Sequence, residues 1–422
     1  MKIKNAQCDF KREPLLAPFG FKGGYLSELW QARVSLEDEG GLRASGLGTQ
    51  SVLWSDGAVF TGNPEAAGNA MMFLITSRAA QMAKEVPWET PLDLQAKILP
   101  ELVAYGKTVT GRPDLRLTFI LNALVALDNA AWVLYARRLG VGGFDAMVPE
   151  PYRKALGARH GALALVPLLS YGVKAEGIRA VLEAGHPLLK IKIGSDPEGD
   201  GDPEKMLAWD QARLAEIHQI ARGFETPHTA SGRIAYYLDA NGRYPSTDFL
   251  ARFLDHAKAL GALGDILILE EPFAEENHQR VGDLGVRVAA DESAHGEADV
   301  RERIDLGYRA LALKPIAKTL SMTLRMLAVA AEKGIPCFCA DLTVNPILVE
   351  WNKNVAARLP LFPGMKAGIV ETNGFQNYRD WDAMAARHPC AGKSWTKPQR
   401  GIFALDADFY AQSGGILLDE KQ

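Results

Sequence analysis

Charged residues recur at one kind of place in this chain, the end of a short apolar run. Leu188–Gly194 reads Leu-Leu-Lys-Ile-Lys-Ile-Gly, a strand-like stretch stopped by Gly194. Side chains alternate along a strand, so Leu189, Ile191 and Ile193 share one face and Lys190 and Lys192 the other. Two ammonium groups on one face of a buried strand are costly unless something anionic stands opposite. Downstream, Asp239-Ala-Asn241 follows Ala235–Leu238, Glu270-Glu271-Pro272 follows Asp265–Leu269, Asp291-Glu292-Ser293 follows Val286–Ala290, and Lys314-Pro315 follows Ala310–Leu313. If these runs are neighbouring strands, Asp239, Glu270 and Asp291 converge at one end of the sheet. Three hard carboxylates on one side suit Mg²⁺, with Mn²⁺ as a substitute, and leave positions for a substrate carboxylate. Without a metal they repel, and each makes its neighbours harder to ionise. A carbon acid fits such a site: the metal stabilises the enediolate left when the α-proton departs, and a neutral lysine takes that proton. Lys192 serves as one such base, with Lys190 beside it, and Lys314 serves the opposite face, so the pair permits inversion.

The elements that hold these residues follow from the texture of the chain. From about residue 162 onward, eight short apolar runs alternate with amphipathic stretches such as Lys205–Phe224, Asp248–Leu260 and Thr319–Lys333. The runs are the five already named (counting Leu188–Ile193 as one), with Ala162–Leu169, Pro336–Ala340 and Gly368–Val370. Eight βα units predict a (β/α)₈ barrel, whose functional residues sit at the C-terminal ends of the strands. A doubly wound open sheet is the alternative, but no Gly-rich fingerprint follows the first strand. In a ring of eight, the second and sixth strands face each other, which sets Lys192 and Lys314 across the mouth. Before the barrel, Tyr25–Gly48 alternates as a β-hairpin around Glu37–Gly40, and residues 64–139 read mainly as helices, Ala66–Lys84 and Leu117–Leu139 among them. Gly46-Leu-Gly48 lacks the third glycine of a phosphate loop.

The remaining composition excludes several classes. The chain has 422 residues, 47% hydrophobic and 23% charged, with a formal net charge of -4, which points to no nucleic-acid or anionic-membrane partner. Met1–Pro14 has scattered charges and no apolar core, so it does not read as a signal peptide. The longest apolar stretch, Leu117–Ala136, contains Asn122, Asp128 and Asn129, which fits a helix inside a protein better than one in lipid. Cys8, Cys337, Cys339 and Cys390 have no zinc spacing and fit a reduced, cytoplasmic protein. The acidic linker Gly194–Glu204 does not match the order of a calcium loop and reads as solvated.

Taken together, these motifs resemble the enolase superfamily, and its muconate-lactonizing and dipeptide-epimerase-like subgroup in particular. The resemblance runs over nearly the whole chain and includes Ala126-Leu-Asp-Asn-Ala-Ala-Trp132, similar to the family's helix before the barrel. It implies a modified TIM (β/α)₈ barrel at 159–375, an N-terminal α+β capping domain at 1–158, and a tail, 376–422, returning to the cap. It implies that Lys192 and Lys314 are the acid/base pair with Lys190 beside them, that Asp239, Glu270 and Asp291 hold the metal, and that Glu271 is only a neighbour. It also implies a homo-oligomer acting on a small carboxylate.

Several positions depart from the family's pattern. Lys314-Pro-Ile-Ala-Lys318 places a second lysine one residue further on and lacks the glycines, so Lys318 reads as structural. Glu225–Arg233 reads as an extra loop near the mouth. The seventh strand has no histidine at its end, unlike mandelate racemase, and His295 reads as a loop residue. The eighth strand ends Glu371-Thr-Asn373-Gly374 where the dipeptide epimerases place Asp-x-Asp for an ammonium group; Glu371 has the charge for that and Asn373 does not. Asn241, Glu371, Asn373 and Asp341 are the substrate-binding candidates; Asp341 and Asn345 equally suit capping of a turn. Gly20-Phe21-Lys22 and Thr49–Trp54 are candidate loops over the site. The reading is a Mg²⁺-dependent racemase or epimerase, with a cycloisomerase or dehydratase using the same lysines as the alternative. A Schiff-base aldolase needs no carboxylate triad, and a non-catalytic barrel needs neither the triad nor the lysines.

Overall fold

The computed structural model describes residues 1–21 and 24–419. Its N-terminal part is an antiparallel sheet of β1 (Ile3–Phe21), β2 (Gly24–Asp38) and β3 (Arg43–Gln50), in the order β1-β2-β3. β2 and β3 are the expected hairpin, with the turn slightly later in the chain and Gly41 at a φ of 83°. β1 was not apparent in the sequence. It is an edge strand whose buried positions are sparse (Ile3, Ala6, Glu13 and Leu15 among them), so it shows no apolar alternation.

Helices Glu65–Glu85, Pro91–Thr110 and Leu117–Leu139 follow. The second has a well-defined start and stop: Thr90 accepts a hydrogen bond from Asp93 N at 3.1 Å, Pro91 occupies the first turn, and Gly111 ends the helix at a φ of 66°. Leu117–Leu139 is long and apolar enough to cross a membrane, but 94% of its most apolar window is buried inside the protein. Its polar residues hold the neighbouring backbone: Asn122 Nδ2 donates to Thr49 O at 2.9 Å, and Asn129 Nδ2 donates to Leu47 O at 2.9 Å. The same packing explains the glycines of β3. A Cβ on Gly46 would stand 2.2 Å from Ala130 N, and one on Gly48 2.8 Å from Ala126 N, so the strand lies directly on the helix backbone.

The second sheet is the barrel. Its strands are β4 (Ala162–Val166), β5 (Leu168–Leu169), β6 (Leu188–Lys192), β7 (Ala235–Asp239), β8 (Ile266–Glu270), β9 (Val288–Ala290), β10 (Ala310–Leu313), β11 (Cys337–Cys339), β12 (Gly368–Glu371) and β13 (Ile402–Ala404). From β4 to β12 they are parallel and follow chain order around the sheet; β13 adds to β4 antiparallel. β4 and β5 are two pieces of one strand broken at Pro167, which has no N–H to donate. β4 pairs with β12 and β5 with β6, so the eight-position ring closes through the chain itself at that break. Helices Ala175–Glu183, Pro203–Ala221, Thr247–Ala259, Glu297–Asp305, Leu320–Glu332 and Pro346–Ala356 lie between successive strands. Alternation divides the core. Leu188, Tyr237, Ile268, Ala312 and Phe338 fill the barrel, and Leu189, Ile191, Leu238 and Leu269 pack outward with the helices.

Two expectations meet the structure differently. Glu225–Arg233 connects a helix to the start of β7, so it lies at the N-terminal end of the barrel and not at the mouth. There Lys366 N donates to His228 O and Ala230 N to Gly364 O, both at 2.8 Å. Of the candidate loop Gly20-Phe21-Lys22, Lys22 lies outside the described residues. The C-terminal residues touch both parts of the chain. Arg379 N donates to Pro14 O at 3.1 Å, and the Tyr378 hydroxyl accepts from Gln31 Nε2 at 2.9 Å and donates to Thr343 O at 2.7 Å.

Candidate active site

β6 to β10 bring their charged ends to one mouth. Lys190 and Lys192 point into the barrel with Leu188, and Asp239 and Glu270 close β7 and β8 in register with each other. Asn241 and Glu271 have positive φ values of 44° and 41°, so the chain turns sharply after each of those strands.

Lys190 is the centre of the charge network. Its Nζ lies 2.9 Å from both Asp239 Oδ2 and Glu270 Oε2 and 3.0 Å from Glu371 Oε2, and it sits 4.6 Å from the centre of the Tyr237 ring. Burial alone would favour its neutral form, but Asp239, Glu270 and Glu371 outweigh that and hold its pKa well above the usual lysine value. Lys192 donates to Asp239 Oδ2 at 2.6 Å and to Asn241 Oδ1. The two lysines therefore share one carboxylate oxygen, and Asp239 offsets the like-charge repulsion expected between them. Burial works against ionisation of Asp239, yet the two lysines lower its pKa below the carboxylate range.

Across the mouth, Lys314 donates to Asp291 Oδ2. Burial opposes its charge, and Asp291 and Glu270 raise its pKa above the usual value. The Trp54 ring of the cap lies 4.7 Å from Lys314 Nζ. Lys318 is fully buried and donates to Asp291 O at 2.6 Å and Ala294 O at 2.9 Å, so it holds the chain that carries Asp291.

Glu270 keeps one carboxylate oxygen without a partner. Oε2 accepts from the Tyr237 hydroxyl at 2.5 Å and faces Lys190, and the buried Oε1 has no hydrogen-bond partner. Burial first, then the charge of Asp239, raise its pKa well above the carboxylate range. Such a group accepts either a proton or a cation. Among the described residues, no three Asp, Glu, His or Cys side chains stand gathered at ligand distance from one point. Lys190 stands between Asp239 and Glu270, and Lys314 and Lys318 occupy Asp291. By donor chemistry the three carboxylates and the orphaned Glu270 Oε1 fit a hard divalent cation.

The substrate candidates divide. Asn241, Asp341, Glu371 and Asn373 all line an opening of about 470 Å³ with Lys190, Lys192, Asp239 and Lys314. Glu371 Oε2 is already engaged, by Lys190 and by Asp341 N at 3.1 Å. Asp341 accepts from Asn373 N at 2.7 Å, and burial, then Glu371, push its pKa up to about 7. Asn345 caps helix Pro346–Ala356 through Leu348 N at 3.1 Å. His295 is buried against Glu275 at 3.2 Å and Asp299 at 3.5 Å. Glu271 accepts from Asp291 N at 2.7 Å, bracing the start of the next acidic turn.

Two residues of the site were not read from the sequence. Tyr237 lies two positions before Asp239 on the same face of β7, so strand parity could have found it. Glu292 accepts from Asn241 Nδ2 at 3.0 Å and lines the opening. It lies beyond the strand, where alternation gives no guide.

Known proteins match this chain in sequence over the barrel and in fold over nearly its whole length. The family described as Enolase C-terminal domain-like matches residues 173–379. A curated o-succinylbenzoate synthase of Geobacillus stearothermophilus is 26% identical over 230 residues, 52% of each chain. The chain thus spans about half the length of the curated relatives it matches. A mandelate racemase/muconate lactonizing enzyme from Roseiflexus sp. superimposes with a TM-score of 0.65 at 17% identity, over 98% of this chain and 97% of that one. A dipeptide epimerase from Cytophaga hutchinsonii, complexed with Mg and the dipeptide D-Ala-L-Val, does so with a TM-score of 0.63 at 14% identity, over 89% and 88%. Residues 173–379 thus belong to the Enolase C-terminal domain-like family, and the capping sheet and modified (β/α)₈ barrel of the whole chain match the fold of the mandelate racemase/muconate lactonizing structures.

Proposed function

We propose that this chain is a metal-dependent enzyme that moves the proton α to the carboxylate of a small substrate, as a racemase or epimerase. The observation that carries the reading is the placement of two lysines, Lys192 at the end of β6 and Lys314 at the end of β10, each paired with a carboxylate of the triad. β6 and β10 are the second and sixth positions of the ring, so the lysines approach a bound substrate from opposite sides. Asp239, Glu270 and Asp291 are the residues that would hold Mg²⁺, and Mn²⁺ would serve in its place. When bound, the ion supplies positive charge for the substrate carboxylate and for the enediolate that follows.

The remaining steps belong to the chain. Asp291 is what holds Lys314 protonated here; with that carboxylate turned to a cation, Lys314 gains access to the neutral form a base requires. One lysine takes the proton at Nζ, and the other delivers a proton to the opposite face. Lys190, pinned by Glu371, stays an ammonium and offers positive charge to a substrate carboxylate. Asn241, Asp341 and Asn373 line the remainder of the pocket and orient the substrate, and Trp54 covers it. The four free thiols fit a reducing, cytoplasmic setting, and a homo-oligomer remains part of the proposal.

A second reading is a dehydratase or cycloisomerase, since the curated relatives are named as synthases and not as racemases or epimerases. It uses the same residues; a dehydratase differs in expelling water once the α-proton is removed, and a cycloisomerase in making or breaking a ring bond with no loss of atoms. Incubation with Mg²⁺ in D₂O of pooled dipeptides, N-acylamino acids and sugar acids, read by mass spectrometry, separates the two. A gain of one mass unit with the skeleton unchanged supports racemisation or epimerisation, the same gain with a ring made or broken supports cycloisomerisation, and loss of water supports elimination. Neither change, in this pool or in unsaturated acids, would contradict the carbon-acid reading.

A further inference from the structure

Just beyond Lys192, the chain turns away from the barrel at Ile193–Ser195, and this turn is fixed from several sides. Asp210, on helix Pro203–Ala221, is wholly buried and spends both carboxylate oxygens there. Oδ2 accepts from Gly194 N at 2.7 Å and from the Tyr244 hydroxyl at 2.9 Å, and Oδ1 accepts from Ser195 N at 3.3 Å. The Tyr171 hydroxyl donates to Ile193 O at 3.0 Å, and Ile193 N donates to Asp239 O at 3.0 Å. Gly194 has a φ of 79°, and a Cβ there would stand 2.6 Å from Arg243 Cβ. The turn therefore needs glycine for both its conformation and its space.

We propose that Asp210 is the positioning residue for Lys192, acting through the Gly194–Ser195 backbone and touching neither substrate nor metal. The argument is one of economy of contacts. A buried carboxylate is costly, and here, besides the charge of Arg243, three hydrogen bonds compensate it, two of which end on Gly194 and Ser195, just beyond the strand that carries Lys192. The consequence is selective. Lys192 stands two residues before Gly194, whereas Lys314 follows β10 and makes none of these contacts. Loosening the clamp moves one lysine of the pair and leaves the other in place, and misplacement of a reacting group by about 1 Å is enough to cost rate. The inference rests on the reading of Lys192 as a proton-transfer group, but the placement itself is measurable without any substrate.

The test is competitive acylation with acetic anhydride, read residue by residue by peptide mass spectrometry, on the wild type and Asp210→Asn. Asparagine keeps the shape but turns one acceptor oxygen into a donor that faces N–H and O–H donors. Labelling of Lys192 rises about threefold or more in the variant, while Lys314 stays within about twofold of the wild type. Tyr171→Phe, which removes only the hydroxyl on Ile193 O, shifts the ratio in the same direction and stands in if Asp210→Asn does not fold. An unchanged Lys192, or an equal rise at both lysines, overturns the proposal. Absence of carbon-acid turnover in the wild type would contradict the functional reading without altering the labelling ratio, so the two failures are told apart.

Discussion

At the scale of single residues, the site is a set of buried acids faced by four lysines, Lys190, Lys192, Lys314 and Lys318. Lys190 alone faces Asp239, Glu270 and Glu371. Lys190→Met leaves three buried carboxylates short of a cation, so the metal-free protein loses about 3–5 kcal/mol by denaturant unfolding, and Mg²⁺ restores part of that. Asp239→Asn removes the carboxylate that the two lysines share. It weakens Mn²⁺ binding about tenfold or more by calorimetric titration and abolishes turnover. Glu270 gives the pH dependence. Burial and Asp239 raise its pKa, so below that raised value a proton occupies the group a metal needs. Metal affinity therefore rises with pH, and metal uptake releases protons to an unbuffered solution. The types of these residues were legible in the sequence because each stands at the end of an apolar run. The service each performs was not: that Lys190 is shared among three acids, and that Glu371 is already engaged by it, depends on distances between strands far apart in the chain.

At the scale of elements, barrel strands buried on both faces announced themselves as short apolar runs with charged ends. β6 through β12 did so, because apolar runs stop where the polar ends begin. β1 did not, since an edge strand with few buried side chains carries no alternation to read. Gly46 and Gly48 illustrate a different limit: the spacing excluded a phosphate loop, but their true reason is contact with the backbone of Leu117–Leu139. That helix also carries Asp128, which accepts from Ser321 N at 3.1 Å and from Ser321 Oγ. Burial pushes its carboxyl from 3.8 up to about 6, against the Ser321 hydrogen bonds. Between those values the unfolded chain releases a proton that the folded chain keeps, so this residue's contribution to stability is present at low pH and is lost as pH rises through about 6. Asp128→Asn lacks the slope. Denaturant unfolding at both ends of the window shows the wild type losing on the order of 2 kcal/mol relative to the variant as pH rises.

At the scale of the whole molecule, cap, barrel and tail meet at one buried network over the mouth. Gln31 of β2 accepts from Thr49 of β3 at 2.7 Å and from Asn345 of the barrel at 2.8 Å, and donates to Tyr378 of the C-terminal segment at 2.9 Å. The order of βα units was enough to read the architecture. The position of Glu225–Arg233 was misread because an inserted loop shows its length in the sequence but its end of the barrel only through the element it precedes. The central claim, two lysines serving opposite faces of one carbon acid, is tested most directly by following α-proton exchange in D₂O with Mg²⁺ for each enantiomer of an exchanging carboxylate, in Lys192→Ala and Lys314→Ala. The account predicts that each variant loses exchange, by at least about a hundredfold, from one enantiomer and retains it from the other, with the choice reversed between the two variants. Loss of exchange from both enantiomers in one variant, with no effect in the other, would contradict it and leave a single base at the mouth.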